Sequence, residues 1–190
     1  MQRVGVTAKD HKLDPDGILE QRVRQEMEHW DLGDVSPRQV NPRLITAVHF
    51  ISSAYGHLPF DVQVHVTLYT ILDLLIDDLN VPNSALAEFM ERMYSGTPQL
   101  HPVLDLLVRY LVDMKEYYPP FATQQIIRST LDFVNSMALD ADAEKMALCP
   151  AAVSYVTFRR LNNGIGDAYG AFVWDKFNIP DVTSYLQAFP

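Results

Sequence analysis

Hydrophobic positions recur at helical spacing along almost the whole chain, so nearly every segment reads as helix. Behind a polar leader, Asp14-Pro15-Asp16 is a capping signal with proline at a first-turn position, and it opens a helix from Ile18 to Trp30. Ile18, Val23 and Met27 stand among charged residues there, the pattern of a partly exposed surface helix. Gly33, Ser36, Pro37, Asn41 and Pro42 mark Asp31 to Pro42 as a connector, and a second helix follows from Leu44 to Tyr55, ending at Gly56. Phe60 to Asn80 is nearly apolar all round, which places it at the centre of a bundle. Valine and threonine make a strand over Val62 to Leu68 a competitor, but the run is too long for one typical strand and its neighbours are helical. Asn83 or Ser84 caps a short helix from Ala85 to Tyr94 that stops at Ser95-Gly96. His101-Pro102 opens one from Val103 to Tyr117, ended by Pro119-Pro120. Then come a helix from Ala122 to Leu139, an acidic loop from Asp140 to Glu144, a long helix from Ala151 to about Trp174 behind Pro150, and a last one starting at Pro180-Asp181. No repeat or linker divides the chain. The expectation is one all-α domain over residues 1–190, with residues 1–15 a flexible leader.

Composition narrows the function classes. A chain of 190 residues, 48% hydrophobic and 21% charged, is long enough to bury a sizeable core. Its net charge of −9, from 24 acidic against 15 basic residues, leaves no basic patch for nucleic acid or an anionic membrane. Such a protein binds a polyphosphate only with divalent cations as the bridge. The single cysteine, Cys149, forms no internal disulfide and is expected to be a small, at least half-buried apolar residue. The N-terminus lacks the apolar region of a signal peptide, and the most apolar stretch, Val64 to Leu79, carries three aspartates and is short for a membrane span. A cytoplasmic protein is expected. The six histidines show no zinc spacing, and no Walker or Gly-x-Ser-x-Gly sequence is present.

The three aspartates in the apolar helix are the first candidate chemistry. Asp73 and Asp77 lie four residues apart on one face, with Asp78 one position further round. Buried carboxylates are costly unless protonated, paired with a base or bound to a cation. Magnesium takes a few carboxylates together with waters and phosphate oxygens, and a paired aspartate at the end of a buried helix suits it. The alternative, that Asp77 and Asp78 are solvated at the helix end, stays open on the pattern alone; Asp73 is read as structural. The second candidate is Arg159-Arg160-Leu161-Asn162-Asn163-Gly164-Ile165-Gly166. Each glycine costs a helix about 1 kcal/mol relative to alanine, so this stretch invites a break, with an arginine one turn earlier suited to grasping a diphosphate. A loop with Arg160 in a surface ion pair is the alternative. Asp140, Asp142 and Glu144 read as a solvated acidic loop rather than a calcium site. The aromatic residues are core by default, some of them positioned to line an apolar pocket.

Taken together, these residues resemble the trichodiene synthase-like family of fungal class I terpene cyclases. The likeness is carried by QIIRSTLDF (Gln125 to Phe133), FRRLNNGIGDAYGAFVW (Phe158 to Trp174), the aspartate helix YTILDLLIDDLN (Tyr69 to Asn80) and the spacing to His101-Pro102. It is close from about Thr67 onward and loose before that. The resemblance implies an all-α, class I terpenoid-synthase-like helical bundle around an apolar pocket. It also implies Mg2+ ions that clamp the diphosphate of farnesyl diphosphate, whose ionisation and cyclisation give a sesquiterpene and free diphosphate. It makes Asp77 the first metal-binding aspartate and Asp78 its neighbour. Arg160, Asn163 and Gly164 fit the family's Arg-x-x-(Asn/Asp)-Gly pattern, in which the arginine senses diphosphate, the polar residue links, and the glycine carbonyl faces the ionising carbon. Alignment on Arg159 instead moves the sensor by one residue. Tyr69 and Phe133, with Arg160, are expected to contact substrate. Two departures stand out: Asn80 and Val81 occupy positions where the family carries a further acidic residue, and the second metal motif, Asn-Asp-x-x-Ser-x-x-x-Glu, is absent. The expectation is therefore a bundle incomplete on its C-terminal side, with weak magnesium-diphosphate binding, little turnover and some self-association. A non-catalytic remnant or helical binding module is the alternative.

Overall fold

The structure, a computed structural model, describes Asp14, residues 17–79, 81–143, 146–147, 149, 151–163 and 165–179, and Thr183. The described residues form eight α-helices and no strand. In order these are α1 (Ile18–Met27), α2 (Pro37–Ala54), α3 (Phe60–Asp78), α4 (Asn83–Ser95), α5 (Pro102–Asp113), α6 (Pro120–Ala143), α7 (Val153–Asn163) and α8 (Gly166–Ala171), with a 3-10 turn at Met114–Glu116 after α5.

The central element is α3. Thirteen of its 19 residues are buried, and α1, α2 and α5 pack around it, so the strand alternative for Val62 to Leu68 does not hold. Its two buried threonines disturb nothing, because the hydroxyls of Thr67 and Thr70 donate to the carbonyls of Gln63 and Val66 one turn back, at 2.7 and 2.8 Å. No described helix is long and apolar enough to cross a membrane.

Local chemistry sets the ends. Asp14 accepts hydrogen bonds from the backbone N–H groups of Leu19 and Glu20, at 3.2 and 3.0 Å, and so caps α1; Pro15 and Asp16 lie outside the described residues. The helix ends at Met27, three residues earlier than the expected Trp30. The segment expected to be a connector starts a helix instead. Ser36 N–H donates to the Gln39 side chain at 2.9 Å, Pro37 occupies the first helical position, and Val40 and Leu44 bury the same face, so α2 runs straight through Pro42. α4 closes as expected: Gly96 takes a left-handed conformation (φ 67°), while Thr97 N–H reaches Arg92 O at 3.0 Å and Gly96 N–H reaches Met93 O at 3.4 Å.

Three later boundaries also differ from the sequence reading. Pro120 serves as a first-turn residue, and α6 continues to Ala143, which makes Asp140 helical rather than part of a loop. The long helix from Ala151 to Trp174 is two helices, broken between Asn163 and Gly166. At the break Ile165 is buried with φ 47°, a left-handed conformation that a β-branched residue adopts only under strain. Cys149 is exposed, not half-buried. The helix expected from Pro180-Asp181 falls outside the described residues, Thr183 excepted.

Leu72 is fully buried on α3. Truncation to alanine is expected to cost about 2–5 kcal/mol, through lost transfer energy and the cavity left behind. Urea unfolding of Leu72→Ala beside the wild type measures this; a change under 1 kcal/mol contradicts the central position of α3.

Candidate functional site

Asp77 and Asp78 occupy the last turn of α3 and diverge. Asp78 accepts from Arg43 Nε of α2 at 2.9 Å, an ion pair on the outer side of the helix. Asp77 has no such base among the described residues. Its carboxyl is raised above the ordinary range, first by desolvation and then by the neighbouring charges of Asp78 and Asp140. The helix C-terminus adds to this repulsion, since its free carbonyls carry partial negative charge. This corner of the molecule therefore holds more negative charge than it neutralises.

Two groups on α7 answer it from the other side. Arg159 grips Asp140 of α6 through both arms, Nε to Oδ1 at 2.6 Å and Nη2 to Oδ2 at 2.9 Å. Asn163, one turn on, donates from Nδ2 to Asp140 Oδ2 at 3.4 Å, while its amide oxygen is buried with no partner among the described residues. Arg160 is exposed, as Arg159 is, but carries no ion pair among the described residues. Gly164 lies outside the described residues. The structure thus joins Asp140, Arg159 and Asn163, brings Asp77 within electrostatic reach of Asp140, and pairs Asp78 with Arg43. Sequence reasoning missed Asp140 as a member. The signal was there, since Asp140 falls two turns after Phe133 and so shares its face of α6.

Beneath this corner the core becomes aromatic. Tyr69 is fully buried, its hydroxyl 2.6 Å from Thr130 Oγ1 of α6 and its ring edge-on to Phe172 with centroids 5.4 Å apart. Phe133 is buried on α6. Tyr169 of α8 packs edge-on to Phe172 as well, and its hydroxyl donates to Thr70 Oγ1 at 3.2 Å. The other hydroxyl contact of Tyr169 is a long one, 3.5 Å, to Asp73 Oδ2. Asp73 is 4% exposed, and its second oxygen has no partner among the described residues. Burial pushes its carboxyl well above the usual range, Tyr69 and Tyr169 oppose the shift, and Asp77 adds to it. Asp73 is consequently neutral where an ordinary aspartate is charged.

Magnesium is held in proteins by one or two carboxylates plus waters and phosphate oxygens rather than by a full protein cage. The described residues contain no cluster of three His, Cys, Asp or Glu side chains disposed around a metal. Asp77 is a carboxylate of the sparse kind that fits, and its unrelieved repulsion is what a divalent cation would remove; Asp78 would join it only by giving up its ion pair with Arg43. A cavity of about 740 Å3 lies elsewhere, toward the other end of α3, where Trp30, His65, Arg109 and Tyr117 line it. His65 is twelve residues from Asp77, or about 18 Å along a helix, so this cavity is not part of the same site. Burial holds the His65 ring neutral, with its pKa lowered to about 4 despite opposing contributions from the Tyr110 carbonyl and Asp113.

Comparison with known proteins follows the same lines. The family model described as Trichodiene synthase (TRI5) matches residues 20–188. The chain is 31% identical to Monoterpene synthase 25 of Postia placenta over 191 residues, covering 99% of this chain and 56% of that protein. It is 28% identical to Terpene synthase 29 of Postia placenta, covering 92% and 51%, and 28% identical to Trichodiene synthase of Stachybotrys chartarum, covering 80% and 40%. The chain spans about half the length of these curated relatives.

Two titrations test the electrostatics. A carboxyl raised by folding contributes stability that is full below its unfolded pKa, about 3.9, and lost as pH rises through the folded value. Asp73 therefore makes the wild type lose stability from about pH 4 upward, and Asp73→Asn is expected to remove that loss; parallel urea-unfolding profiles for the two proteins would contradict it. His65 has the opposite sign, because its depressed pKa makes acid destabilising between about pH 6.5 and pH 4. An NMR titration of its ring is expected to show a midpoint near 4, and a midpoint near 6.5 would contradict the burial described here.

Proposed function

The chain belongs to the trichodiene synthase family, and from that premise we propose that its acidic corner binds the magnesium-bridged diphosphate of an isoprenoid substrate for a terpene cyclase reaction. The observation that carries the proposal is the meeting of Asp77, Asp140, Arg159 and Asn163 where α3, α6 and α7 converge on an aromatic core. Acidic and basic groups face each other there between α6 and α7, with apolar rings on the neighbouring core side. A diphosphate needs cations at its oxygens, and its hydrocarbon tail needs an apolar wall that excludes water.

In this reading Asp77 would hold Mg2+, joined by Asp78 once that carboxylate leaves Arg43, and the bound ion would supply electrostatic stabilisation of the departing diphosphate. Arg159 is the diphosphate-binding arginine. It is already oriented in the corner by Asp140 and exchanges that carboxylate for phosphate oxygens, which offer its fork the same bidentate geometry. The exchange would leave Asp140 unpaired beside Asp77, a charge that a bound divalent cation would offset. Arg160, named by the spacing of the family pattern, takes the outer rim, and Asn163 ties α7 to α6 through Asp140. Tyr69 and Phe133 form part of the apolar wall, and the charge released on ionisation is stabilised by ring faces. Farnesyl diphosphate, leading to a sesquiterpene, is the proposed substrate. One relative is named a monoterpene synthase, so geranyl diphosphate is the comparison substrate.

Calorimetric titration of the full chain with pyrophosphate and Mg2+ separates the roles. Asp77→Ala is expected to abolish binding that depends on Mg2+. Arg159→Ala loses a charge-assisted pair of roughly 1.5–3 kcal/mol, hence about ten- to a hundredfold in affinity, and Arg160→Ala loses less. The reverse order for the two arginines makes Arg160 the sensor. Unchanged binding in all three variants sinks the proposal. Product analysis by gas chromatography with farnesyl and geranyl diphosphates then reads the substrate, and turnover is expected to vanish in Asp77→Ala.

A further inference from the structure

The least satisfied polar group in the aromatic core is the Asp73 carboxyl. Of its two oxygens, Oδ1 has no partner among the described residues, while the hydroxyls of Tyr69 and Tyr169 both interact with the carboxyl, that of Tyr169 at 3.5 Å from Oδ2, and the residue is only 4% exposed. Leaving a polar atom in this state carries a desolvation cost that an apolar residue of similar size avoids. The hydroxyls of Tyr69 and Tyr169 have further partners in Thr130 and Thr70, and most of α3 is buried among apolar side chains, so neither the tyrosines nor the helix depends on Asp73 alone. An open acceptor inside a ring of aromatic side chains, one helical turn from Asp77, is instead arranged to meet something that arrives.

The surroundings say what kind of ligand. Tyr69 and Tyr169 both reach the carboxyl and both pack edge-on to Phe172, and no basic side chain reaches it among the described residues. Aromatic faces and a carboxyl oxygen both attract positive charge, and neither competes for an anion. A carboxyl kept protonated by burial still presents its carbonyl oxygen, so the attraction does not require a buried anion. The Tyr169 contact comes from α8, a helix of six residues that follows the strained break at Ile165.

We propose that Asp73 is a further substrate-binding residue, whose unpaired oxygen meets the positively charged carbon of the isoprenoid chain after the diphosphate leaves. The inference rests on the cyclase reading and sharpens it: the apolar wall carries one polar point, and that point favours charge at one place along the chain. The bland alternative is that Asp73 only helps to seat Tyr169.

The test uses two compounds of equal shape, an isoprenoid-length tertiary ammonium and its neutral hydrocarbon isostere. Each is titrated into the full chain with saturating magnesium pyrophosphate. The wild type is expected to prefer the ammonium by roughly tenfold or more. Asp73→Leu is expected to bring the two affinities together while leaving that of the hydrocarbon unchanged. Asp73→Asn keeps a carbonyl oxygen and is expected to retain part of the preference; it also serves if the leucine variant does not fold. A preference that survives both substitutions overturns the inference, and so does an equal fall for both compounds, which is the signature of a merely structural role. Absence of any preference in the wild type overturns it as well. If the wild type binds neither compound nor magnesium pyrophosphate, the cyclase reading itself fails. That result is distinct from a chain that binds pyrophosphate yet ignores charge on the hydrocarbon.

Discussion

Burial of α3 on all sides is the constraint from which the rest of the molecule follows. A helix with no solvent face has to be surrounded, and α1, α2 and α5 supply that surround. The same burial makes every polar residue on α3 significant, because each must be satisfied internally or carry a cost. Thr67 and Thr70 are satisfied within the helix, and His65 is held neutral between Tyr110 and Tyr117, its Nε2 3.1 Å from the Tyr110 carbonyl. Asp73 is not satisfied. Asp77 escapes only because the helix ends there.

The fold places its charge where the core stops. Asp77 closes α3, Asp140 lies in the extra turns of α6, and Arg159 and Asn163 close α7 just before the chain reverses into a left-handed residue. Helix ends are where backbone groups lack partners and where side chains fan outward, so an ionic site built from three of them needs no cavity cut into the bundle. The apolar side chains below it are already in contact with the core.

Much of this was legible in the residues. The all-round apolar pattern of α3 identifies the central helix, and Gly96 and Asp14 punctuate the chain where the residue types require it. The glycines and asparagines after Arg160 mark a weak point, and the structure breaks there. Other features were hidden for physical reasons. Pro42 argues against helix unless the Ser36–Gln39 box has already started one upstream. The run from Asp140 to Glu144 looks like loop by charge alone, but α6 carries Asp140 within reach of Arg159, and only the three-dimensional pairing shows it. Which of two adjacent arginines turns inward depends on the rotation of α7 about its axis. Neighbouring residues in a helix differ by about 100°, and α7 is too exposed for its own apolar pattern to fix that angle.

That exposure gives the two sides of the corner different mechanical character. The carboxylates of α3 rest on the most buried helix of the molecule, whereas Arg159 and Asn163 ride on a helix that buries none of its described residues. Local opening free energy follows burial, so the amide protons of α7 exchange with solvent long before those of α3. Part of any ligand's binding energy is then spent on quieting α7. Substitutions along the outer face of that helix, at Val153, Val156 or Leu161, can therefore tune affinity by changing how ordered the free helix is, without altering a single group that touches the ligand.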